Sequence, residues 1–253
     1  MCVAAVAWAA HPRWRLVAIG NRDEFHARPA SPLARWEGPG GIIAGRDLQS
    51  GGTWLGVSQT GRFALVTNLR GHGMPDPDMA SRGALVTDQL AGAGSYGDPA
   101  TAALKDFNPF NLIVADARDA RFLSNRPEDI RTALAHGIYG LSNGMLDEPW
   151  PKTLQLKAAL LDWLAAGDGR FEPLFEALAS ETRSDIGIHP AQPSEISQEA
   201  AETPVFIRHR VYGTRCSTVV AIAQDGAGRI VERRFDAGGA PAGETAFDFL
   251  WPV

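Results

Sequence analysis

The chain has 253 residues, is 45% hydrophobic and 21% charged, and carries a formal net charge of −5. This length and balance suit one large domain spanning residues 1–253, and the acidic excess speaks against a nucleic acid or an anionic membrane as partner. No apolar run is long enough to span a bilayer and the two cysteines are Cys2 and Cys216, so stable membrane insertion and a disulfide framework are not expected, and a reducing cytoplasm is.

The opening "MCVAAVAW" shows no basic stretch, long apolar core or small-residue cleavage site, so it is not read as a secretory leader. It reads as a strand, and Cys2 has two readings. Free cysteine is a common buried hydrophobe. An initiator methionine is normally trimmed before a small residue, and trimming would leave an α-amine and a thiol on Cys2, a nucleophile with its own base. The next strand, "RLVAIGN", runs directly into Asn21, Arg22, Asp23 and Glu24. If the two strands pair as antiparallel neighbours, Cys2 lies beside Arg22, whose charge favours thiolate, and Asp23 is placed to hold the α-amine.

Further along, Gly51 and Gly52 in "GRDLQSGGTWLGVS" allow unusual backbone angles or a close approach to a ligand. Trp54 is a candidate pocket wall, and Arg46 with Asp47 reads as a surface pair. "TWLGVSQ" and "RFALVTN" are strands joined by a tight turn, the second ending at Asn68. "SRGALVTDQLAGAG" reads as a helix capped by Ser81 and closed by glycine. "FNLIVADA" and "ARFLSN" are further strands, and Asn143 lies in "YGLSNG", where Asn-Gly signals a turn. "PKTLQLKAALLDWLAAG" places Leu154, Leu156, Leu160, Leu161 and Leu164 on one apolar stripe, with Pro151 in its first turn. A shorter helix follows in "RFEPLFEALASET", then a polar, proline-dotted surface loop or lid over 184–204. "CSTVVAIA" and "RIVERRF" close the series as strands. Arg215 sits on a strand otherwise fit for burial and so needs an acidic partner or an anionic site, with Asp23 as the candidate. Cys216 alternates to the other face and reads as core packing.

Short turns between neighbours imply antiparallel hairpins. Yet "CVAAVAW", "FNLIV" and "TVVAIA" are apolar on both faces, which hairpin sheets with one wet face are not. The combination implies an α+β fold, a four-layer αββα sandwich of two mainly antiparallel sheets. No cysteine or histidine spacing matches a metal site, so no metal is expected.

The ordered motifs "NRDEFHARP", "GRDLQSGGTWLGVS", "TNLR", "SRG", "YGLSN" and "YGTRCST" resemble those of the NRDE family, also called the transport and Golgi organisation family, from Met1 to about Ile222. That family is similar to the N-terminal-nucleophile hydrolases of the choloylglycine hydrolase and penicillin V acylase group. The resemblance implies the same αββα fold and a mature N-terminal cysteine that attacks an amide. Matched motif to motif, it implies a catalytic set of Cys2, Arg22, Asp23, Asn68, Asn143 and Arg215, with the asparagines near the oxyanion or substrate. Asn21 and Trp54 are the candidate substrate-binding residues. Two functions remain open at this point. One is cleavage of the C–N bond of a small or lipid-like amide, with no cofactor. The other, since family members are linked to haem or lipid trafficking, is a haem or acyl-lipid carrier in an inherited pocket. Haem would then be a carried ligand, with His26, His72 or Cys2 as its axial candidates and Arg22 or Arg215 for its propionates. The sequence carries no signal of oligomeric state.

Overall fold

The computed structural model describes residues 2–190, 196 and 202–252. The first strands are β1 (Cys2–Trp8), β2 (Trp14–Phe25), β3 (Ala30–Arg35), β4 (Ile42–Asp47), β5 (Leu55–Ser58) and β6 (Arg62–Asn68). After helix α1 (Arg82–Ala91) come β7 (Phe110–Ala115), β8 (Ala120–Ser124), β9 (Ile130–Ala133) and β10 (Gly137–Leu141). Helices α2 (Pro151–Ala166) and α3 (Glu172–Leu178) precede β11 (Tyr212–Ala223), β12 (Ala227–Phe235) and β13 (Pro241–Leu250). They form a six-stranded sheet ordered β10-β1-β2-β11-β12-β13 and a seven-stranded sheet ordered β3-β4-β5-β6-β7-β8-β9. Neighbouring strands in both are antiparallel.

The apolar alternation along β1 explains the layering. Ala4, Val6 and Trp8 face Phe63, Leu65 and Ile113 of the second sheet. Val3, Ala5 and Ala7 face Leu156, Leu160 and Trp163 of α2 and Leu174 of α3. The seven-stranded sheet is treated alike: Ala44, Ala64, Val66 and Leu112 pack under Leu85, Val86 and Leu90 of α1. A strand between a sheet and a helix has no wet face, so it reads as apolar throughout. The result is the αββα sandwich. Each large side chain buried in it contributes about 1.5–3 kcal/mol.

Local signals fix the helices. The Ser81 side chain accepts from the Gly83 N–H at the start of α1, and Gly92 ends it in the left-handed conformation at φ 64°. Pro151 occupies the first turn of α2, where its missing N–H costs nothing. The α2 stripe differs from expectation, because Leu161 is 56% exposed and Trp163 takes the buried place beside Leu160 and Leu164. In the expected loop over 184–204, residues 191–195 and 197–201 lie outside the described residues. Residues 184–190 and 202–204 form neither helix nor strand. Among the described residues no helix is long and apolar enough to cross a membrane.

Candidate active site

The hairpin of β1 and β2 pairs Cys2 with Arg22, and β11 pairs Cys216 with the same Arg22 from the other side. Opposed residues of antiparallel strands share a face, so these three side chains form a row facing the second sheet. Cys216 is buried, in keeping with core packing. It shares the face of Cys2 because the β11–β2 register shifts between Thr214 and Cys216, a bulge that leaves Arg215 unpaired in the ladder.

A cleft of about 470 Å³ opens at this end of the sandwich. Cys2, Arg22 and Asp23 line it from the first sheet, Trp54 and Asn68 from the second, and Arg82 from the start of α1. Glycines bring α1 so close. A Cβ on Gly52 would overlap the main chain of Gly83, and the Thr53 N–H donates to the Gly83 carbonyl at 3.3 Å. The approach that the Gly51-Gly52 pair allows is therefore to the first turn of α1.

Arg22 is held from three directions. Its Nη2 donates to Asp47 Oδ2 at 2.9 Å, its guanidinium stacks 4.6 Å from the Trp54 ring centroid, and Glu24 lies 3.8 Å away. Arg28 Nε reaches the same Asp47 oxygen at 2.6 Å, while Asp47 Oδ1 accepts from the N–H groups of Gln49 and Ser50. Asp47 is therefore buried beneath two arginines, and the expected surface pair with Arg46 does not form. Arg46 instead stacks on Trp36 and donates to the Gly51 carbonyl. Burial raises the Asp47 carboxyl, but the Arg28 hydrogen bond, the Ser50 N–H and the two cations outweigh it and hold it below the ordinary carboxylate range. Arg22 Nη1 is buried without an acceptor among the described residues.

Burial pushes the Cys2 thiol above its ordinary value, against the amino-terminal charge, the Arg22 cation and the Asp23 N–H, which all favour thiolate. The expectation was that the Arg22 charge favours thiolate. Its pull has the expected sign, but desolvation wins. A thiol in this position needs a base.

Asp23 Oδ1 accepts from the Thr214 hydroxyl at 2.7 Å, and its carbonyl accepts from the Tyr212 hydroxyl. Asn68 is exposed at the end of β6 and lines the cleft. Asn143 is buried and donates from Nδ2 to the Asn68 carbonyl at 2.7 Å, while the neighbouring Ser142 hydroxyl donates to the Cys2 carbonyl at 2.9 Å. Asn143 thus holds Asn68 in place, Ser142 holds the nucleophile strand, and Asn143 is not among the cleft-lining residues.

Two other expected site residues lie elsewhere. Asn21 projects to the helix side of its sheet, where Nδ2 donates to the carbonyls of Leu178 and Val205 and Oδ1 accepts from Ser217. Both ends of its amide are consumed away from the cleft. Arg215, turned out at the bulge, donates from Nη1 to the carbonyls of Phe25, His26 and Arg28. Three carbonyls, not Asp23, engage its Nη1, and it braces the turn that carries Arg28. His26 contacts the His209 carbonyl and His72 is exposed. Neither lines the cleft, and no histidine does among the described residues. No cluster of three or more metal-binding side chains occurs among them either.

Sequence reasoning missed Asp47, Arg28 and Arg82. All three lay within quoted motifs, but a carboxylate next to an arginine reads as a surface pair, "SRG" reads as a helix cap, and nothing in "NRDEFHARP" ties Arg28 to Asp47.

The family model described as Transport and Golgi organisation 2 matches residues 1–237. The Transport and Golgi organization protein 2 homolog of Bos taurus is 33% identical over 242 residues, covering 87% of this chain and 86% of that protein. The homolog of Homo sapiens is 33% identical over 245 residues, with the same coverage of each chain. A mutant conjugated bile acid hydrolase from Clostridium perfringens superposes with a TM-score of 0.53 at 8% identity, over 98% of this chain and 92% of its own. That likeness is one of fold. The chain belongs to the Transport and Golgi organisation 2 family, and its fold is that of the N-terminal-nucleophile hydrolases.

Proposed function

We propose that this member of the Transport and Golgi organisation 2 family cleaves the C–N bond of a small amide, with Cys2 as an N-terminal nucleophile exposed by removal of Met1. The observation that carries the reading is the register of β1 on β2, which sets Cys2 opposite Arg22, both lining a cleft with Asp23 and Asn68. The α-amine of the mature Cys2 has an ordinary pKa of about 7.7–8.0 and serves as the base that the desolvated thiol requires. It takes the thiol proton, Sγ bonds to the amide carbonyl carbon, and negative charge collects on the carbonyl oxygen. The Asn68 amide N–H stabilises that oxyanion, a contact typically worth about 3 kcal/mol. Collapse breaks the C–N bond, and the leaving amine takes the proton from the α-ammonium. Water, activated by the same amine, then hydrolyses the thioester.

Carriage of haem asks for an axial ligand, for which Cys2 is the candidate that lines the cleft, and for apolar walls. Among the described residues Trp54 is the one aromatic side chain lining the cleft, and Arg22 already covers a face of it. The hydrolase reading is therefore the better supported.

Intact-mass analysis and a panel of fluorogenic amides test it. The expected result is a mature chain that begins at Cys2, with turnover abolished by Cys2→Ser while the melting temperature is kept. A processed protein that retains Met1, or turnover unaffected by Cys2→Ser, removes the mechanism.

A further inference from the structure

Strand β11 meets Asp23 in a register that its bulge decides. Beyond the bulge Cys216 lies opposite Arg22, and Ser217 lies opposite Asn21. Carried straight on, that register would set Arg215 opposite Asp23. The shift sets Thr214 there instead, while Arg215 turns out to the carbonyls of Phe25, His26 and Arg28. Opposed residues share a face, so the bulge exchanges a guanidinium for a hydroxyl against a buried carboxylate. A guanidinium there would tie up the Asp23 charge in a buried ion pair. A hydroxyl holds one oxygen and leaves the charge in place.

Thr214 is held in one orientation. It is 1% exposed, and its hydroxyl oxygen accepts the Ile207 N–H at 2.9 Å. Its own N–H donates to the Ile207 carbonyl at 2.9 Å, which fixes the backbone behind it. The hydroxyl proton is thereby aimed at Asp23 Oδ1, 2.7 Å away. Tyr212, two residues earlier, donates to the Asp23 carbonyl at 2.8 Å. Asp23 follows Arg22, the residue paired with Cys2, and its N–H favours the Cys2 thiolate. Thr214 is not among the cleft-lining residues. Whatever it does for the nucleophile it does through Asp23.

We infer that Thr214 is a positioning residue for the nucleophile, its hydroxyl fixing Asp23 so that the Asp23 N–H stays on the Cys2 sulfur and the carboxylate beside the α-amine. For the amine this rests on the hydrolase reading, whereas the hold on the sulfur is independent of turnover.

The test removes the hydroxyl at nearly constant shape with Thr214→Val and restores it with Thr214→Ser, in the mature full-length protein. Alkylation of Cys2 by iodoacetamide is followed with Cys216 as the internal control, and kcat and KM are measured on a fluorogenic amide. Loss of a hydrogen bond to a charged group corresponds to about 10- to 100-fold, and of an ordinary one to about 3- to 10-fold. Thr214→Val is expected to lower kcat by the larger factor with KM little changed, and to slow Cys2 alkylation by the smaller. Thr214→Ser should recover most of both. Loss of the Ile207 contact by itself lowers the melting temperature and leaves alkylation alone. An Asp23→Ala background separates the two routes, because there Thr214→Val has no carboxylate left to release and should no longer slow alkylation. Alkylation at the wild-type rate in Thr214→Val, an equal slowing in the Asp23→Ala background, or no rescue by Thr214→Ser overturns the role of Thr214 and leaves the hydrolase reading standing. If Thr214→Val does not fold, Thr214→Ala takes its place against Thr214→Ser. If wild type cleaves no amide, the alkylation series alone decides, so failure of the chemistry and failure of the positioning role stay distinct.

Discussion

Asp47 is the residue on which the arginines of the site depend. Its Oδ2 receives both Arg22 and Arg28, and an amide in its place keeps the shape but loses the charge. Asp47→Asn is expected to cost roughly 1.5–3 kcal/mol at neutral pH, the range of hydrogen bonds to charged groups. The pH dependence has a definite sign. The folded-state pKa of Asp47 is lowered, so its contribution is present above the unfolded value of about 3.9 and is lost as pH falls through the folded one. Thermal melts of wild type and Asp47→Asn should therefore converge in acid and separate towards neutrality, and a constant gap refutes the ionic account. At this scale the sequence was legible where chain neighbours decide the geometry: Cys2 beside Arg22 follows from two consecutive strands. It was illegible where partners come from afar. Nothing near Arg215 announces that it will bind carbonyls of residues 25–28, almost two hundred positions earlier.

Among the elements, α1 matters most to the cleft, because its first turn delivers Arg82. Two glycines let it approach, and they differ in a way that can be measured. A Cβ at Gly52 would overlap the main chain of Gly83, which has no flexible end to move. At Gly83 a Cβ would lie 3.2 Å from Thr53 N, a tight contact, and alanine there favours the helix by about 0.5–1 kcal/mol. Gly52→Ala is expected to destabilise by about 1–3 kcal/mol, as overpacking does, and Gly83→Ala by clearly less. Denaturant melts of both variants check the order, and equal losses would mean that the close approach does not seat the helix. The strongly apolar elements were readable, with β1 and β6 bounded as their hydrophobic runs suggest. Strands β3, β4, β9, β10 and β13 were not. β9 and β13 are mostly exposed, and β4 and β10 carry glycines within short runs. Edge strands held by ladder hydrogen bonds leave little hydrophobic pattern to read.

At the scale of the molecule the cleft belongs to neither sheet, so something must fix one sheet against the other beside the nucleophile. Apolar packing between them is non-directional and sets their spacing better than their registry. Arg22 on Asp47 is one directional link between the sheets, and a second is at Ser142 and Asn143, just past β10 on the edge of the six-stranded sheet. Ser142 holds the Cys2 carbonyl, and Asn143 crosses to the Asn68 carbonyl at the end of β6 in the other sheet. The layering was legible because apolar strands joined by hairpins admit few other arrangements. This stitch was not, since Asn-Gly after an unrecognised strand reads only as a turn. The two asparagines are accordingly expected to fail differently. Asn143→Ala removes a buried donor and leaves a carbonyl unanswered, a loss of about 1–3 kcal/mol, and a domain of this size loses about 2–4 °C in melting temperature for each kcal/mol. Asn68→Ala removes an exposed side chain and should leave the melt within about 0.5 kcal/mol of wild type. Its effect falls on turnover instead, by about 100-fold or more if its N–H meets the oxyanion. Melting curves and kcat measured on both variants decide the matter. Should Asn68→Ala unfold the protein and Asn143→Ala only slow it, the roles of holder and oxyanion donor are reversed.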